Sequence, residues 1–313
     1  MCLITGVGGL LGYHLALYLL EEGARVYGTY HLDSRFIGDL KDRVSLVPCD
    51  FLDQAQVRAT AGLEAWDYVF HFAAQSLPSL SWREPELTFR VNVHGTLYLL
   101  DALRDSDEKQ PRLLVAGSSA EYGAAASLVG PIPESAPLTS NSPYGLSKVA
   151  AELLADLYNQ RYGLPAITVR PFFILGPGKI GDAASDFARG IVAIERGELA
   201  TLSVGNLDAV RDFLDVRDAV RACWVLAQRG DPGQAYNLGL GSGRRVGDLL
   251  AGLMSQASVT IPVLRDESRM RPVDLPRVVA DVSRLKALGW QPQVPLEQTL
   301  ADILSYWRTQ HGA

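Results

Sequence analysis

Tyr144 and Lys148 stand four residues apart in SPYGLSK, at the start of a stretch with helical spacing, so both side chains project from one helix face. An ammonium beside a phenol favours the phenolate and lowers its pKa, which would make Tyr144 a proton donor or acceptor near neutral pH. Such a pair also arises by chance in a chain with 12 tyrosines, so its meaning depends on what places it. Upstream, LLVAGSSAEYG runs out of an apolar segment into two hydroxyls and a carboxylate, Ser118, Ser119 and Glu121. At an extended strand end, residues i and i+2 share a face, so Ser118 and Ala120 look one way and Glu121 the other. Without a bulge, Glu121 cannot bring its carboxylate to the Ser118 side.

The elements that must position these groups follow from the hydrophobic pattern. CLIT, RVYGTY, VSLVP, YVFHF, RLLVAG and AITVRPF are short apolar runs of buried-strand type. Between them LLGYHLALYLLEEG, LDQAQVRATAGL, TFRVNVHGTLYLLDALR and YGLSKVAAELLADLYNQRYG carry helical spacing. The alternation predicts an α/β fold, a Rossmann-type doubly wound parallel sheet with right-handed crossovers. After Pro171 the alternation breaks, and a smaller C-terminal substrate-binding lobe is expected. Residues 1–172 would form the dinucleotide-binding domain, to which about 210–240 returns through the strand-like YNLGL, and 173–313 mainly the lobe. The chain of 313 residues is 48% hydrophobic and 20% charged, the composition of an ordinary globular protein. A net charge of −6 speaks against a broad nucleic-acid-binding face. Cys2, Cys49 and Cys223 have neither disulfide nor zinc spacing, and no metal site is expected. With no secretory pattern and no apolar run of about 18 residues, a cytoplasmic protein that avoids the membrane is expected.

GVGGLLG follows the first strand directly and opens a helix. Leu11 stands where the usual G-x-G-x-x-G would end, and the spacing that fits is Gly6-x-x-Gly9-x-x-Gly12. Such a loop lets main-chain N–H groups approach a pyrophosphate, although a tight βα turn would read the same way. Expected cofactor contacts are Gly6, Gly9, Leu10, Leu11, Gly12, Phe51, Ala73 and Lys148. No acid stands at the end of the second strand, where one would bind the ribose hydroxyls of NAD; His31 or Arg35 could instead meet a 2′-phosphate. The balance leans to NADP(H), with NAD(H) still open. Asp50 could accept from an adenine amine or cap a helix beside Asp53.

Together, the glycine loop, the upstream serine and Tyr144-x-x-x-Lys148 make the chain similar to the extended short-chain dehydrogenase/reductase family of nucleotide-sugar enzymes. VGNLDAVRDFLDVRDAV, RPVDLP and LGWQP resemble its GDP-mannose 4,6-dehydratase and GDP-4-keto-6-deoxy-mannose reductase branch. That resemblance implies a catalytic Ser118, Tyr144 and Lys148, with the Ser118 hydroxyl bonding the reacting oxygen. It also implies an Asn92 beneath the site, which could equally be a structural hydrogen-bonding group. Ser119, Glu121, Tyr144 and Phe173 are further expected substrate neighbours. Arg211 and Arg271 match positions that hold the diphosphate, a task suited to a guanidinium fork, with surface salt bridging as the alternative. Where relatives carry R-x-F-N-x-x-G-P-G, this chain has Arg170-Pro-Phe-Phe173-Ile-Leu-Gly-Pro-Gly178, so one polar contact is replaced by a ring.

Counting back from Tyr122, the carboxylate of the dehydratases falls on Ala120. Loss of water across C5 and C6 of a sugar needs a base and an acid that this segment lacks. Reduction of a ketone needs only a hydride, a proton and a hydrogen bond to the developing alkoxide. The resemblance therefore implies a homodimeric NAD(P)H-dependent reductase of a nucleotide-linked, preferably GDP-linked, 4-keto-6-deoxyhexose, forming GDP-rhamnose. A 4-epimerase, a 4,6-dehydratase with a relocated base, and a non-catalytic nucleotide-binding protein remain open.

Overall fold

The computed structural model describes residues 1–32, 35–106, 109–123, 125, 130–270 and 275–310. The six expected strands form as β1 (Cys2–Thr5), β2 (Val26–Tyr30), β3 (Ser45–Pro48), β4 (Tyr68–His71), β5 (Arg112–Ala116) and β6 (Ala166–Pro171). Ala235–Leu238 adds a seventh beside β6, and the spatial order is Ala235–Leu238, β6, β5, β4, β1, β2, β3, all parallel. Strands covered on both faces need apolar side chains in both directions, which is why β1, with all four residues buried, reads as an unbroken apolar run.

One face is covered by helices Leu10–Glu21 and Val216–Arg229, whose Leu15, Leu19, Val220 and Leu226 pack on Ile4 and Leu114. The other is covered by Gln54–Ala61, Gly95–Arg104 and Pro143–Tyr162, through Val57, Leu99, Leu103 and Ala155 on Leu3, Val69 and Leu113. Each fully buried leucine contributes on the order of 2 kcal/mol. Helices Ala183–Glu195, Val246–Met254 and Leu296–Thr309 share a third core. Beside it, among the described residues, lie three small strand groups: Phe173–Leu175 paired with Phe213–Asp215, Val210–Arg211 held between Arg244–Arg245 and Arg277–Val278, and Leu202–Val204 paired with Val263–Arg265. No helix among the described residues is long and apolar enough to cross a membrane.

Strand order reverses between β1 and β4, so the loops leaving them diverge and open a cleft at the carboxyl edge of the sheet. The stretch expected as one helix around Asn92 is three pieces, Pro85–Phe89, a π-helical turn Arg90–His94, and Gly95–Arg104. That turn carries Asn92 beneath the cleft.

Candidate active site

The glycines after β1 divide by what demands them. Gly6 has φ +72°, and a β-carbon there would lie 2.8 Å from the Ala73 nitrogen; one at Gly12 would lie 2.8 Å from the Val7 α-carbon. Chain packing thus explains both. Gly9 is exposed, and its β-carbon would meet nothing nearer than 3.4 Å. It stands at the N-terminus of helix Leu10–Glu21, which has no side-chain cap and no acid in its first turn. Open N–H groups at the positive end of a helix dipole fit a pyrophosphate. Leu10 and Leu11 pack half-buried on the core below.

The loop after β4 is pinned under this cleft. Thr5 Oγ1 accepts the N–H groups of Phe72 and Ala73, both at 3.1 Å, and lies 2.8 Å from His71 Nδ1. His71 Nε2 lies 2.9 Å from Thr96 Oγ1, which donates to the Asn92 carbonyl. With Thr96's proton spent, Nε2 is the donor and Nδ1 the acceptor, so His71 is neutral. Burial, with the Lys148 charge, pushes its pKa down to about 3. Phe51 is buried and stacks on this imidazole at 5.3 Å between centroids, so its ring belongs to the core and only its main chain is left for a cofactor. His31 is exposed and its Nδ1 lies 4.0 Å from Asp50 Oδ1, which brings two expected cofactor contacts together. Asp53 caps helix Gln54–Ala61, whereas Asp50 accepts from the Leu52 N–H. Arg35 begins helix Arg35–Leu40, but its side chain lies outside the described residues.

Helix Pro143–Tyr162 starts with Ser142 accepting the Gly145 N–H at 3.1 Å and Pro143 at N1. A β-carbon at Gly145 would lie 2.5 Å from the Ala120 carbonyl oxygen, so this glycine lets the helix dock on the 119–121 turn. Asn92 donates to Ser147 Oγ at 2.9 Å and to the Gln75 carbonyl at 3.1 Å, and accepts the Gln75 N–H at 2.8 Å. It ties the cleft loop to the tyrosine helix, the structural role allowed for it. Ser118, Tyr144 and Lys148 converge there. The Ser118 hydroxyl acts on the phenol and favours its ionised form. Ser118 Oγ accepts the Ala120 N–H at 3.1 Å, which leaves its O–H to donate.

The electrostatic expectation for Tyr144 is corrected. Burial pushes its pKa up to about 12, the Ser118 hydrogen bond only partly opposing this. Lys148 Nζ turns instead to the Ala116 carbonyl at 2.8 Å, and burial brings its pKa down to about 8, with Glu121 opposing. The spacing places both groups on one face, but desolvation is the largest influence on each, and neither is among the influences on the other.

Glu121 also departs from expectation, since it is fully buried and does not face the cleft as a substrate contact would. The segment is not an extended strand end: Ser118 is extended, and Ser119–Glu121 is a 3₁₀ turn with a capping box in which Glu121 Oε1 accepts the Ser118 N–H at 2.6 Å. Ser119 is half-buried in that turn, and its carbonyl accepts the Tyr122 N–H at 3.3 Å. Behind it, Arg170 forms a bidentate pair with Glu152 and donates to Tyr122 and to the Glu134 carbonyl. Sequence reasoning missed this group, although Tyr144, Lys148 and Glu152 at i, i+4 and i+8 share one helix face.

In the small strand groups, the Arg211 guanidinium carbon lies 5.5 Å from the centre of the Phe173 ring, which packs edge-on against Phe213 at 6.0 Å. Arg211 is buried, so surface salt bridging does not describe it. Phe173 thus forms a shelf under Arg211, a cation–π contact worth about 0.5–2 kcal/mol. Arg271 lies outside the described residues.

A doubly wound sheet with a glycine turn at its reversal point, and a serine, tyrosine and lysine at the adjoining strand and helix ends, defines a dehydrogenase-type α/β enzyme with a nicotinamide cofactor. The family model described as GDP-mannose 4,6 dehydratase matches residues 3–303. The chain is 32% identical to GDP-6-deoxy-D-mannose reductase from Pseudomonas aeruginosa over 98% of its length and 97% of the relative's. It superposes on the structure of RMD from Pseudomonas aeruginosa complexed with NADPH with a TM-score of 0.86 at 30% identity, covering 98% and 99% of the two chains. On the Thermus thermophilus UDP-glucose 4-epimerase in complex with NAD the TM-score is 0.84 at 26% identity, over 98% and 99%. The chain belongs to the GDP-mannose 4,6-dehydratase family within the short-chain dehydrogenases/reductases, and is an NAD(P)-dependent oxidoreductase acting on a nucleotide sugar.

Proposed function

We propose that the protein reduces the 4-keto group of a nucleotide-linked 4-keto-6-deoxyhexose, GDP-4-keto-6-deoxy-mannose to GDP-rhamnose, with NADPH favoured over NADH. A bound NAD(P)H supplies the hydride. Tyr144 gives the proton, Ser118 donates a hydrogen bond to the developing alkoxide, and Lys148 holds the cofactor ribose and supports the phenol. The observation that carries this reading is the lack, among the described residues, of a carboxyl group facing the cleft beside Ser118. A phenol with a pKa near 12 starts protonated, as reduction requires, while position 120 offers a methyl group and the Glu121 carboxyl is buried away from the cleft. A 4-epimerase must start by oxidation, with the phenol deprotonated, and a 4,6-dehydratase needs a base for the C5 proton. The similarity to a GDP-6-deoxy-D-mannose reductase supports the same choice.

The purified protein, given NADPH or NADH with the GDP-linked keto sugar, should consume the reduced cofactor and form the 6-deoxyhexose, leaving GDP-mannose unchanged. Conversion of GDP-mannose to its 4-keto-6-deoxy product would overturn the reading. Arg211 would clamp the diphosphate. Arg211→Met should raise KM at least tenfold with kcat nearly kept, as loss of a charged hydrogen bond of about 1.5–3 kcal/mol implies, and unaltered kinetics would remove the clamp. A homodimer in the cytoplasm completes the proposal. Leu146, Leu153 and Leu157 form an exposed stripe on helix Pro143–Tyr162, and Leu153→Glu should yield monomers by light scattering if this stripe is the contact.

A further inference from the structure

Behind Ser118 lies a buried pair of carboxyl groups that the reaction as described does not use. Glu121 and Glu152 are both buried, and both carboxyl groups approach Arg170 Nε, Glu152 at 2.9 Å and Glu121 at 3.4 Å. Arg170 is the cation between them. Its Nε donates to Glu152 at 2.9 Å, its Nη2 to the other Glu152 oxygen, and its Nη1 to Tyr122 and the Glu134 carbonyl. Glu121 Oε2 lies 3.4 Å from Nε, whose proton is already directed at Glu152, and it is buried without a hydrogen-bond partner. The guanidinium donates to Glu152, Tyr122 and the Glu134 carbonyl, and Lys148, the other buried cation that acts on Glu121, gives its Nζ to the Ala116 carbonyl, so Oε2 is left an unsatisfied acceptor.

A proton on Oε2 resolves this, since it turns an unsatisfied acceptor into a donor toward Glu152. Burial first, and then the Glu152 charge, hold Glu121 well above the ordinary carboxyl range. Its other oxygen takes the Ser118 N–H at 2.6 Å, and a β-carbon at Gly117 would collide with that oxygen, so residue 117 leaves room for it. Tyr144 and Lys148 both feel a charge at Glu121, which would hold the phenolic proton more tightly.

We propose that Glu121 is a positioning residue working as a neutral acid: it shares one proton with Glu152 across Arg170 and anchors Ser118 beside Tyr144 without placing a negative charge behind the proton donor. Its kinetic consequence rests on the reduction proposed above.

Glu121→Gln keeps an acceptor for the Ser118 N–H and a donor for Glu152, and kcat for the keto sugar should stay within about threefold of wild type. Glu121→Ala removes both, and kcat should fall about tenfold or more while KM changes little. Circular dichroism and NADPH titration show whether each variant is folded. Infrared spectra of the wild type at neutral pH should contain a protonated-carboxyl band that Glu121→Gln lacks. A Gln variant as impaired as Ala, an Ala variant with full kcat, or a wild type without that band would overturn the proposal. If the Ala variant fails to fold, the Gln variant and its spectrum decide. If the wild type is inert toward the keto sugar, the reductase reading fails, while the infrared band still decides whether Glu121 carries the proton.

Discussion

Tyr144→Phe is expected to lower kcat by at least about 10²-fold, the usual scale of a general-acid contribution, while NADP(H) binding survives. The substitution deletes one oxygen from a buried ring and leaves Ser118 with its Ala120 N–H contact, so the turn that carries the serine should persist. What is lost is the proton at the reacting oxygen. With the wild-type phenol near 12, no titration of Tyr144 should appear in the reduction rate between pH 6 and about 9. Steady-state kinetics beside a fluorescence titration of NADPH separate the two effects. Near-normal turnover in the variant would remove Tyr144 from the mechanism.

The sheet was readable because each of its strands is buried on both faces and appears as a short apolar run between amphipathic stretches, and YNLGL was recognisable as a returning strand for the same reason. Periodicity reports what faces the core. It does not report a π-helical turn such as Arg90–His94, because apolar spacing continues through it. Nor does spacing report burial depth, and burial is the largest influence on the pKa of both Tyr144 and Lys148.

Glu121 carried a signal that strand alternation obscured. Ser118-Ser-Ala-Glu121 is the Ser-x-x-Glu signature of a capping box, which places the carboxyl over the Ser118 main chain. The alternation argument reached the same practical result, a Glu121 turned from the cleft, from a premise the structure replaces. The pairing of Arg170 with Glu152 was not legible, since it depends on how the tyrosine helix docks against β6. Phe173 was visible as a departure, but its contact with Arg211 required the neighbouring strand to be in place.

Lys148→Met is expected to lose turnover on the scale of Tyr144→Phe and also to weaken NADP(H) binding, because the ammonium would serve both the phenol and the cofactor ribose. Its titration gives the sharper test. With a pKa near 8, Lys148 is charged at neutral pH and loses its proton as pH rises through about 8. Wild-type kcat/KM for reduction should therefore fall above about pH 8, well below the range in which Tyr144 would titrate, and the residual rate of Lys148→Met should lack that limb. Stability should move the other way. The folded-state pKa lies below the ordinary lysine value of 10.5, so the cost of the buried cation is fully present below about pH 8 and is relieved as pH rises from about 8 to 10.5. At pH 7 the Met variant, which carries no buried charge, should melt no lower than the wild type. Loss of turnover in a protein of equal or higher Tm assigns the lysine to the chemistry. An alkaline limb that survives in the Met variant would assign it to another group.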